Sequence, residues 1–144
     1  MSILERVQAD TREAMKAGER DRVGALRMLA SALQQDAKLG DDDAVAVLQR
    51  ERKRRLEAAE AFRKGGSEGR AAAEESEAAL IETYLPAQLS DQQLDELVSA
   101  AIEESGATGP QDMGRVMSVL MPRVRGRADG KRVSALVMQR LQGS

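Results

Sequence analysis

The sequence has no cysteine and no histidine, and its aromatic residues are reduced to Phe62 and Tyr84. Without cysteine, the chain cannot form a disulfide, use a thiolate nucleophile or bind a metal through sulfur. Without histidine, it also lacks the commonest general base and metal ligand of proteins. We therefore expect no metal, no cofactor and no catalytic residue, and a hydrophobic core built from aliphatic side chains.

Proline is also scarce, with 3 residues in a chain of 144, and strong helix formers such as Ala, Leu, Glu and Arg dominate the sequence. Hydrophobic residues make up 42% of the chain, which is enough to build a core. No apolar run approaches the roughly 18 residues of a membrane-spanning helix. The N-terminal segment also lacks the apolar stretch of a signal peptide. These features predict an all-α protein of the cytoplasm that does not bind a membrane.

The spacing of apolar residues predicts two helical subdomains. Four helices in residues 1–86 are expected to form two helical hairpins, and three shorter helices in residues 87–144 are expected to form a three-helix bundle. The boundary falls in the stretch LPAQLS, because Pro86 is expected to end one helix. Ser90 and Gln93 then form a capping box for the next helix.

Several helix ends can also be predicted from capping residues and helix breakers. Leu39 and Gly40 are expected to end the second helix, and the three aspartates of residues 41–43 to cap the third. Pro110 suits the first turn of the sixth helix. Pro122 is expected to end that helix, and Asp129 to cap the seventh.

Charge is distributed unevenly along the chain. Residues 65–112 carry one basic and eleven acidic side chains, whereas residues 113–144 carry seven basic and one acidic, a net charge of +6. Five of these basic residues lie in MPRVRGRADGKRV, residues 121–133. One interpretation is a phosphate-binding surface at a helix N-terminus, where arginine makes bidentate contacts. The other is an exposed inter-helix loop whose arginines pair with the acidic segment.

A second basic run, QRERKRRLEAAEAFRK, occupies residues 49–64. It is interpreted either as an exposed helix held by ion pairs or as a second strip that contacts a nucleic-acid backbone. Glu57 and Glu60 are spaced to pair with Lys53 and Arg63 on one helix.

Three methionines recur at helical spacing, and they either fill the core or line a groove for a partner: Met113, Met117 and Met121. Two aromatic residues are too few for a platform on which bases stack. Recognition of RNA would therefore depend on backbone charge and shape.

Four stretches resemble the bacterial YqeY-like proteins of the GatB/YqeY family, in the same order and spacing. They are RVGALRMLASAL (22–33), VLQRERKRRLEAAEAFRKGG (47–66), ETYLPAQLS (82–90) and DMGRVMSVLMPRVRGRADGKRV (112–133). The resemblance covers nearly the whole chain. It implies two all-α subdomains, of which the C-terminal one is similar to the tail domain of the GatB subunit of tRNA-dependent amidotransferase.

In that amidotransferase the tail engages tRNA and holds neither the glutaminase nor the kinase site. By resemblance, the shared motif comprises Gly114, Val116, Met117, Gly126, Ala128 and Asp129, and Gly130 lies beside it. The candidate RNA contacts are the basic residues that surround this motif: Arg115, Arg123, Arg125, Arg127, Lys131 and Arg132.

Three functional hypotheses follow. The first is a non-catalytic accessory module that binds tRNA or another structured RNA by backbone contacts. The second is a protein-interaction module that docks on an aminoacylation or amidation complex. The third is the activity that the family resemblance suggests, a carbon–nitrogen ligase with glutamine as amido-N-donor. The sequence shows no likeness to the amidase Ser-Lys centre or to the ATP- and Mg-binding cradle that this reaction requires.

Overall fold

The computed structural model describes residues 1–35 and 41–143, without the side chains of residues 41 and 42. Within these ranges the chain forms seven α-helices, one 3₁₀ turn and no β-strand, so the all-α prediction is confirmed. The helices are α1 Ile3–Ala17, α2 Arg20–Gln35, α3 Asp41–Lys64, α4 Glu68–Glu82, α5 Asp91–Ser105, α6 Met113–Val124 and α7 Gly130–Gln142. The chain divides into two compact units, Met1–Pro86 and Ala87–Ser144.

The N-terminal unit consists of two helical hairpins, α1–α2 and α3–α4. Gly18 joins the first pair with a φ of 72°, a left-handed conformation that glycine adopts without steric cost. Leu26, Leu48 and Val7 are fully buried where the hairpins meet. The hydroxyl of Tyr84 donates a hydrogen bond to the carboxylate of Asp10. Burial, reinforced by this hydrogen bond, raises the pKa of Tyr84 above its usual range.

Beyond this core, α3 and α4 continue side by side as a two-helix arm, which we define as residues 51–64 and 68–82. The apolar residues buried along it, before the core is reached at Ile81, are three alanines: Ala59, Ala71 and Ala78. Alanine lets two helices approach closely but removes little apolar surface from water. The arm therefore gains less from apolar burial than the core does.

Ion pairs link the two helices of the arm along its length. Arg52 Nε lies 2.5 Å from Glu82 Oε1, and Arg55 Nε lies 3.0 Å from Glu77 Oε2. Near the tip, the guanidinium of Arg63 contacts two glutamates of α4, at 2.8 and 2.5 Å. The basic run of α3 thus faces the acidic run of α4, and these side chains serve the structure of the arm.

One expected pairing within α3 is wrong. Glu60 forms its ion pair with Lys64, at 3.2 Å, rather than with Arg63. Arg63 instead contacts Glu68 and Glu75, because it lies on the side of α3 that faces α4. Helical spacing predicts which residues of one helix share a face. It gives no information about carboxylates of a second helix that compete for the same guanidinium.

The C-terminal unit is a three-helix bundle of α5, α6 and α7 around an aliphatic core. Seven of its larger aliphatic side chains have at most 1% of their surface exposed: Leu94, Val98, Val116, Leu120, Val124, Val133 and Val137. The capping box at the start of α5 is confirmed. Ser90 Oγ accepts from the Gln93 N–H at 3.1 Å, and the Gln93 side chain accepts from the Ser90 N–H at 3.0 Å.

Two predictions about proline need correction. Pro110 begins a 3₁₀ turn, Pro110–Asp112, that precedes α6 rather than belonging to its first turn. Pro122 lies inside α6, which continues to Val124. A proline removes only its own N–H and crowds the preceding turn, so the residues after it can still donate to earlier carbonyls. The helix ends where Arg125 takes an extended conformation, with ψ of 126°.

At the start of α3, the three aspartates form the first turn of the helix rather than its cap. Helix α3 begins at Asp41, three residues before the start that the sequence predicted. A negative charge is favourable in the first turn for the same electrostatic reason as at the cap. The predicted stop at Leu39 and Gly40 lies outside the described residues.

Candidate nucleic-acid interface

The joint between α6 and α7 is held against the segment that precedes α5. Gly126 is buried and has a φ of 78°, which reverses the chain after α6. Its carbonyl accepts a hydrogen bond from Gln88 Nε2 at 2.8 Å. The N–H of Leu89 donates to the carbonyl of Arg127, also at 2.8 Å. The joint therefore has a defined shape, set by backbone groups at residues 126 and 127.

Arg127 supports this joint with its side chain. Its guanidinium is half-buried, and Nε donates to the carbonyl of Ala87 at 3.2 Å. The Nη1 group donates to the carbonyl of Arg123 at 3.3 Å. Arg127 is one of the six candidate RNA contacts, but its guanidinium is used for hydrogen bonds to backbone carbonyls of its own unit.

Asp129 caps α7, as its position in the sequence predicted. Its Oδ1 accepts a hydrogen bond from the Lys131 N–H at 3.2 Å. The carboxylate thus occupies the helix N-terminus, where a bound anion would otherwise sit. Gly130 is the first residue of α7 and does not adopt a positive φ, so of the two glycines in this stretch only Gly126 uses the left-handed conformation.

Three of the candidate arginines form ion pairs within the bundle. Arg115 lies 2.7 Å from Asp112, and Arg123 lies 2.7 Å from Glu104 at the end of α5. Arg132 contacts Asp91 at the start of α5. The acidic partners all belong to the segment of residues 65–112, so part of the loop interpretation holds for these three arginines.

Asp112 is the most strongly held of these acidic partners. Its carboxylate accepts a hydrogen bond from the Thr108 N–H at 2.9 Å and also contacts Arg115. The backbone hydrogen bond from Thr108, followed by the one from Arg115, lowers the pKa of Asp112 below its usual range. Asp112 therefore stays ionised to lower pH than a free aspartate, and Arg115 keeps its partner.

Arg125 and Lys131 differ from the other four. Both side chains are exposed, and neither forms an ion pair with a carboxylate of the described residues. They flank the buried Gly126 and the cap of α7, on the joint whose backbone is held by residues 87–89. These two cations are consequently the ones that the geometry leaves available for an external anion.

Comparison with known proteins identifies the family. The model of the Yqey-like protein family matches residues 4–141. The chain belongs to this family. Its identification as a YqeY-like member of the GatB/YqeY family is thereby confirmed.

A curated relative is a glutamyl-tRNA(Gln) amidotransferase subunit from Thermococcus gammatolerans, which is 47% identical over 49 residues. That match covers 34% of this YqeY-family chain and 8% of the relative, so the chain spans only a small part of the relative's length.

In this YqeY-family chain, the remaining motif residues are mostly positioned by packing. Val116 is fully buried, and Ala128 has 9% of its surface exposed. Gly114 lies on the exposed side of α6, with no atom within 4 Å of the place where a Cβ would stand. No packing in the described residues therefore requires a glycine at this position.

The methionine stripe packs mainly into the bundle. All three of its residues are half-buried and contact the aliphatic core. Met117 and Met121 also line a surface groove of about 440 Å³, together with Ser118, Pro122 and Arg125. Both interpretations of the stripe thus have a structural counterpart, because the same side chains cover the core and form the groove.

Sequence reasoning missed the residues that hold the joint in place. The sequence indicates only a boundary at residues 87–89 and gives no signal that Glu104 pairs with Arg123. The polar Gln88 between two apolar positions in LPAQLS was a local signal, but its partner lies 38 residues away. In the described ranges, no group of acidic side chains could hold a metal, and no helix is both long and apolar enough to cross a bilayer.

Proposed function

We propose that this YqeY-family protein is a non-catalytic accessory module that binds tRNA or another structured RNA through Arg125 and Lys131. The observation that carries the proposal is a pair of exposed cations on a well-defined joint, neither of which pairs with a carboxylate in the part of the chain that the structure describes. One relative is named as a subunit of a glutamyl-tRNA(Gln) amidotransferase. This similarity supports tRNA as the molecule that the module binds. We place this function in the cytoplasm, as the sequence predicts.

Charge limits how this binding would work. The unit Ala87–Ser144 carries seven basic and seven acidic residues, so its net charge is zero despite its basic C-terminal half. Long-range attraction of RNA is therefore weak, and affinity depends on a few local phosphate contacts. We expect modest affinity that falls as salt rises, with recognition of shape rather than of base sequence.

A titration of the full chain with total tRNA at several salt concentrations tests the proposal. The variant Arg125→Ala/Lys131→Ala removes the two free cations, and Arg12→Ala/Arg20→Ala removes two exposed arginines of the N-terminal unit as a charge-matched control. We expect the first variant to weaken binding and to reduce the slope of log K against log salt by about 2, since each phosphate contact contributes roughly one unit. Equal losses in both variants, or an affinity that ignores salt, would contradict the proposal.

The proposed absence of catalysis is tested separately. We expect the purified chain alone to show no glutamine-dependent amidation of misacylated tRNA, because we assign no nucleophile or general base to any groove. Turnover by the chain alone would instead support the carbon–nitrogen ligase hypothesis.

A second candidate function is docking on a protein of the aminoacylation or amidation machinery. It is favoured by the groove of Met117 and Met121, whose flexible thioether side chains suit an adaptable contact. Ser118→Trp would fill this groove from an exposed position of α6 without changing the core. A specific protein that is recovered after nuclease treatment, and lost with Ser118→Trp, would support docking. Recovery only with intact RNA would count against it.

A further inference from the structure

One face of the arm carries an apolar groove that is separate from the candidate RNA site. The groove has a volume of about 540 Å³ and lies between α3 and α4. Its apolar lining residues are Leu56, Ala59, Ala78 and Ala79. Leu56 has 38% of its surface exposed and belongs to the few large apolar residues of the described chain that reach the solvent.

Charged residues bound the groove at both ends. Glu82 closes one end and is paired with Arg52, whereas Glu75 closes the other and is paired with Arg63. The two glutamates are seven positions apart on α4, which corresponds to about 10 Å along a helix. A surface that matches this groove is therefore apolar in its middle. At each end it carries both an acidic and a basic side chain, opposite the glutamate–arginine pair there.

We propose that this groove pairs with the same groove of a second copy of the chain, forming a two-fold symmetric dimer. In a two-fold interface the same patch contacts itself, so the patch must contain both a projection and a matching recess. Here Leu56 is the projection, and the small side chains of Ala78 and Ala79 form the recess beside it. Each Leu56 would then insert over the alanines of its partner.

The charge of the arm fits the same arrangement. Residues 50–64 carry seven basic and three acidic side chains, whereas α4 carries one basic and five acidic. A two-fold axis that runs along the groove, parallel to α3 and α4, places α3 of one copy beside α4 of the other, so that the basic helix meets the acidic one. A foreign partner of a single charge sign would instead meet like charge along one helix, which is unfavourable.

The small area of this face limits the affinity of the dimer. Stable interfaces bury about 1,200–2,000 Å² in total, and one face of a two-helix arm lies at or below the low end of that range. The proposal is therefore a weak, reversible dimer. It requires no RNA and does not use the α6–α7 joint, so it stands independently of the proposed function.

Sedimentation velocity of the full chain without RNA, at concentrations up to about 1 mM, tests the proposal. Leu56→Glu places a charge on the projection, and Ala79→Trp fills the recess from an exposed position. Met28→Glu is the matched control, because Met28 is 56% exposed and lies on α2 outside this groove. Circular dichroism checks that each variant remains folded.

We expect a concentration-dependent dimer whose dissociation constant rises at least tenfold in Leu56→Glu and Ala79→Trp, and changes less than twofold in Met28→Glu. A wild-type chain that stays monomeric throughout would overturn the proposal. So would a dimer that persists in Leu56→Glu, because it would use another face. If the wild-type chain were monomeric and bound a different protein, and Leu56→Glu abolished that binding, the groove would be assigned to that protein instead.

The absence of cysteine provides a second measurement. Any disulfide between single-cysteine variants must join two molecules, since the native sequence supplies no thiol. Leu56→Cys mixed with Ala79→Cys, in the presence of oxidised glutathione, is expected to form the mixed disulfide faster than Met28→Cys does with either. Equal rates for all three combinations would contradict the two-fold arrangement.

Discussion

The arm and the C-terminal bundle pack their helices by different means. In the bundle, seven large aliphatic side chains are buried to 1% exposure or less. Along the arm, before the core is reached at Ile81, the buried apolar residues are alanines. Cross-helix ion pairs at Arg52, Arg55 and Arg63 link α3 to α4. The bundle is thus stabilised mainly by apolar burial, whereas the arm depends more on charge.

This difference changes how basic residues should be interpreted in the two regions. Three arginines of the arm, Arg52, Arg55 and Arg63, have carboxylate partners on the facing helix. Arg54 and Lys64 instead pair within α3. Four arginines of the bundle also pair with carboxylates: Arg115, Arg123, Arg132 and Arg140. Arg125 and Lys131 form no such pair with the described residues, so they are available for binding. A dense basic run is consequently weaker evidence for an RNA site than two isolated cations on a well-packed unit.

The largest expected effect comes from truncating the bundle core. Leu120→Ala removes a fully buried side chain, and we expect the free energy of unfolding of the C-terminal unit to fall by about 2–5 kcal/mol. The same substitution in the arm, Leu56→Ala, should cost less than about 1 kcal/mol, because Leu56 is partly exposed. Native-state hydrogen exchange resolves the two units. Equal losses would mean that the arm is also held by apolar packing.

The next effect concerns the charges of the arm. Arg55 contacts three carboxylates, those of Glu51, Glu74 and Glu77. We expect Arg55→Ala to destabilise the arm by roughly 1–3 kcal/mol, below the full cost of breaking a buried pair because these groups are partly exposed. Faster amide exchange confined to α3 and α4 would report it.

The control for that prediction is Arg54→Ala, which removes a more exposed arginine that contacts Glu51 at 3.3 Å. We expect it to change amide exchange much less. If both variants behaved alike, the total charge of α3 would matter rather than the cross-helix contacts of Arg55.

A smaller effect is expected at the α6–α7 joint. Gly126→Ala forces a residue with a Cβ into a left-handed conformation, which costs about 1–2 kcal/mol. Gly130→Ala is the control, since Gly130 lies in the first turn of α7 with open space around it. We expect the control to be neutral or slightly stabilising in urea denaturation. Similar destabilisation by both would show that conformation at residue 126 is not the cause.

The smallest effect is expected for an exposed pair of the arm. Lys64 and Glu60 lie 3.2 Å apart, with 77% and 69% of their side chains exposed. We expect Lys64→Ala to change the stability of the arm by less than about 0.5 kcal/mol. A loss above about 1 kcal/mol would mean that largely exposed ion pairs also stabilise the arm. Stability would then not depend specifically on the cross-helix contacts of Arg55.

Much of the fold could be predicted from short stretches of sequence. Ser90 and Gln93 predicted the start of α5, and Asp129 predicted the start of α7, because capping depends on residues within one turn. Pro122 misled the prediction of where α6 ends, since a proline near the last turn weakens only the bonds before it. These are local effects, and local sequence was mostly sufficient to predict them.

The candidate site was predicted less completely. The resemblance pointed to the six basic residues that surround the shared motif, and it did not distinguish among them. The fold brings Glu104 to Arg123 and Asp91 to Arg132, and it directs Arg127 to the carbonyl of Ala87. These partners lie 19 to 41 positions away along the chain, and helical periodicity carries no information over that distance.

The sequence by itself determined an all-α chain, most of its helix starts and its separation into basic and acidic runs. Those properties follow from helix propensity, capping and composition, which act within a few residues. Only the tertiary structure decided which of the six candidate cations have partners, and that Arg125 and Lys131 form no ion pair with a carboxylate of the described residues. The reason is physical: an ion pair depends on the distance between charges in space, and packing of separate helices sets that distance.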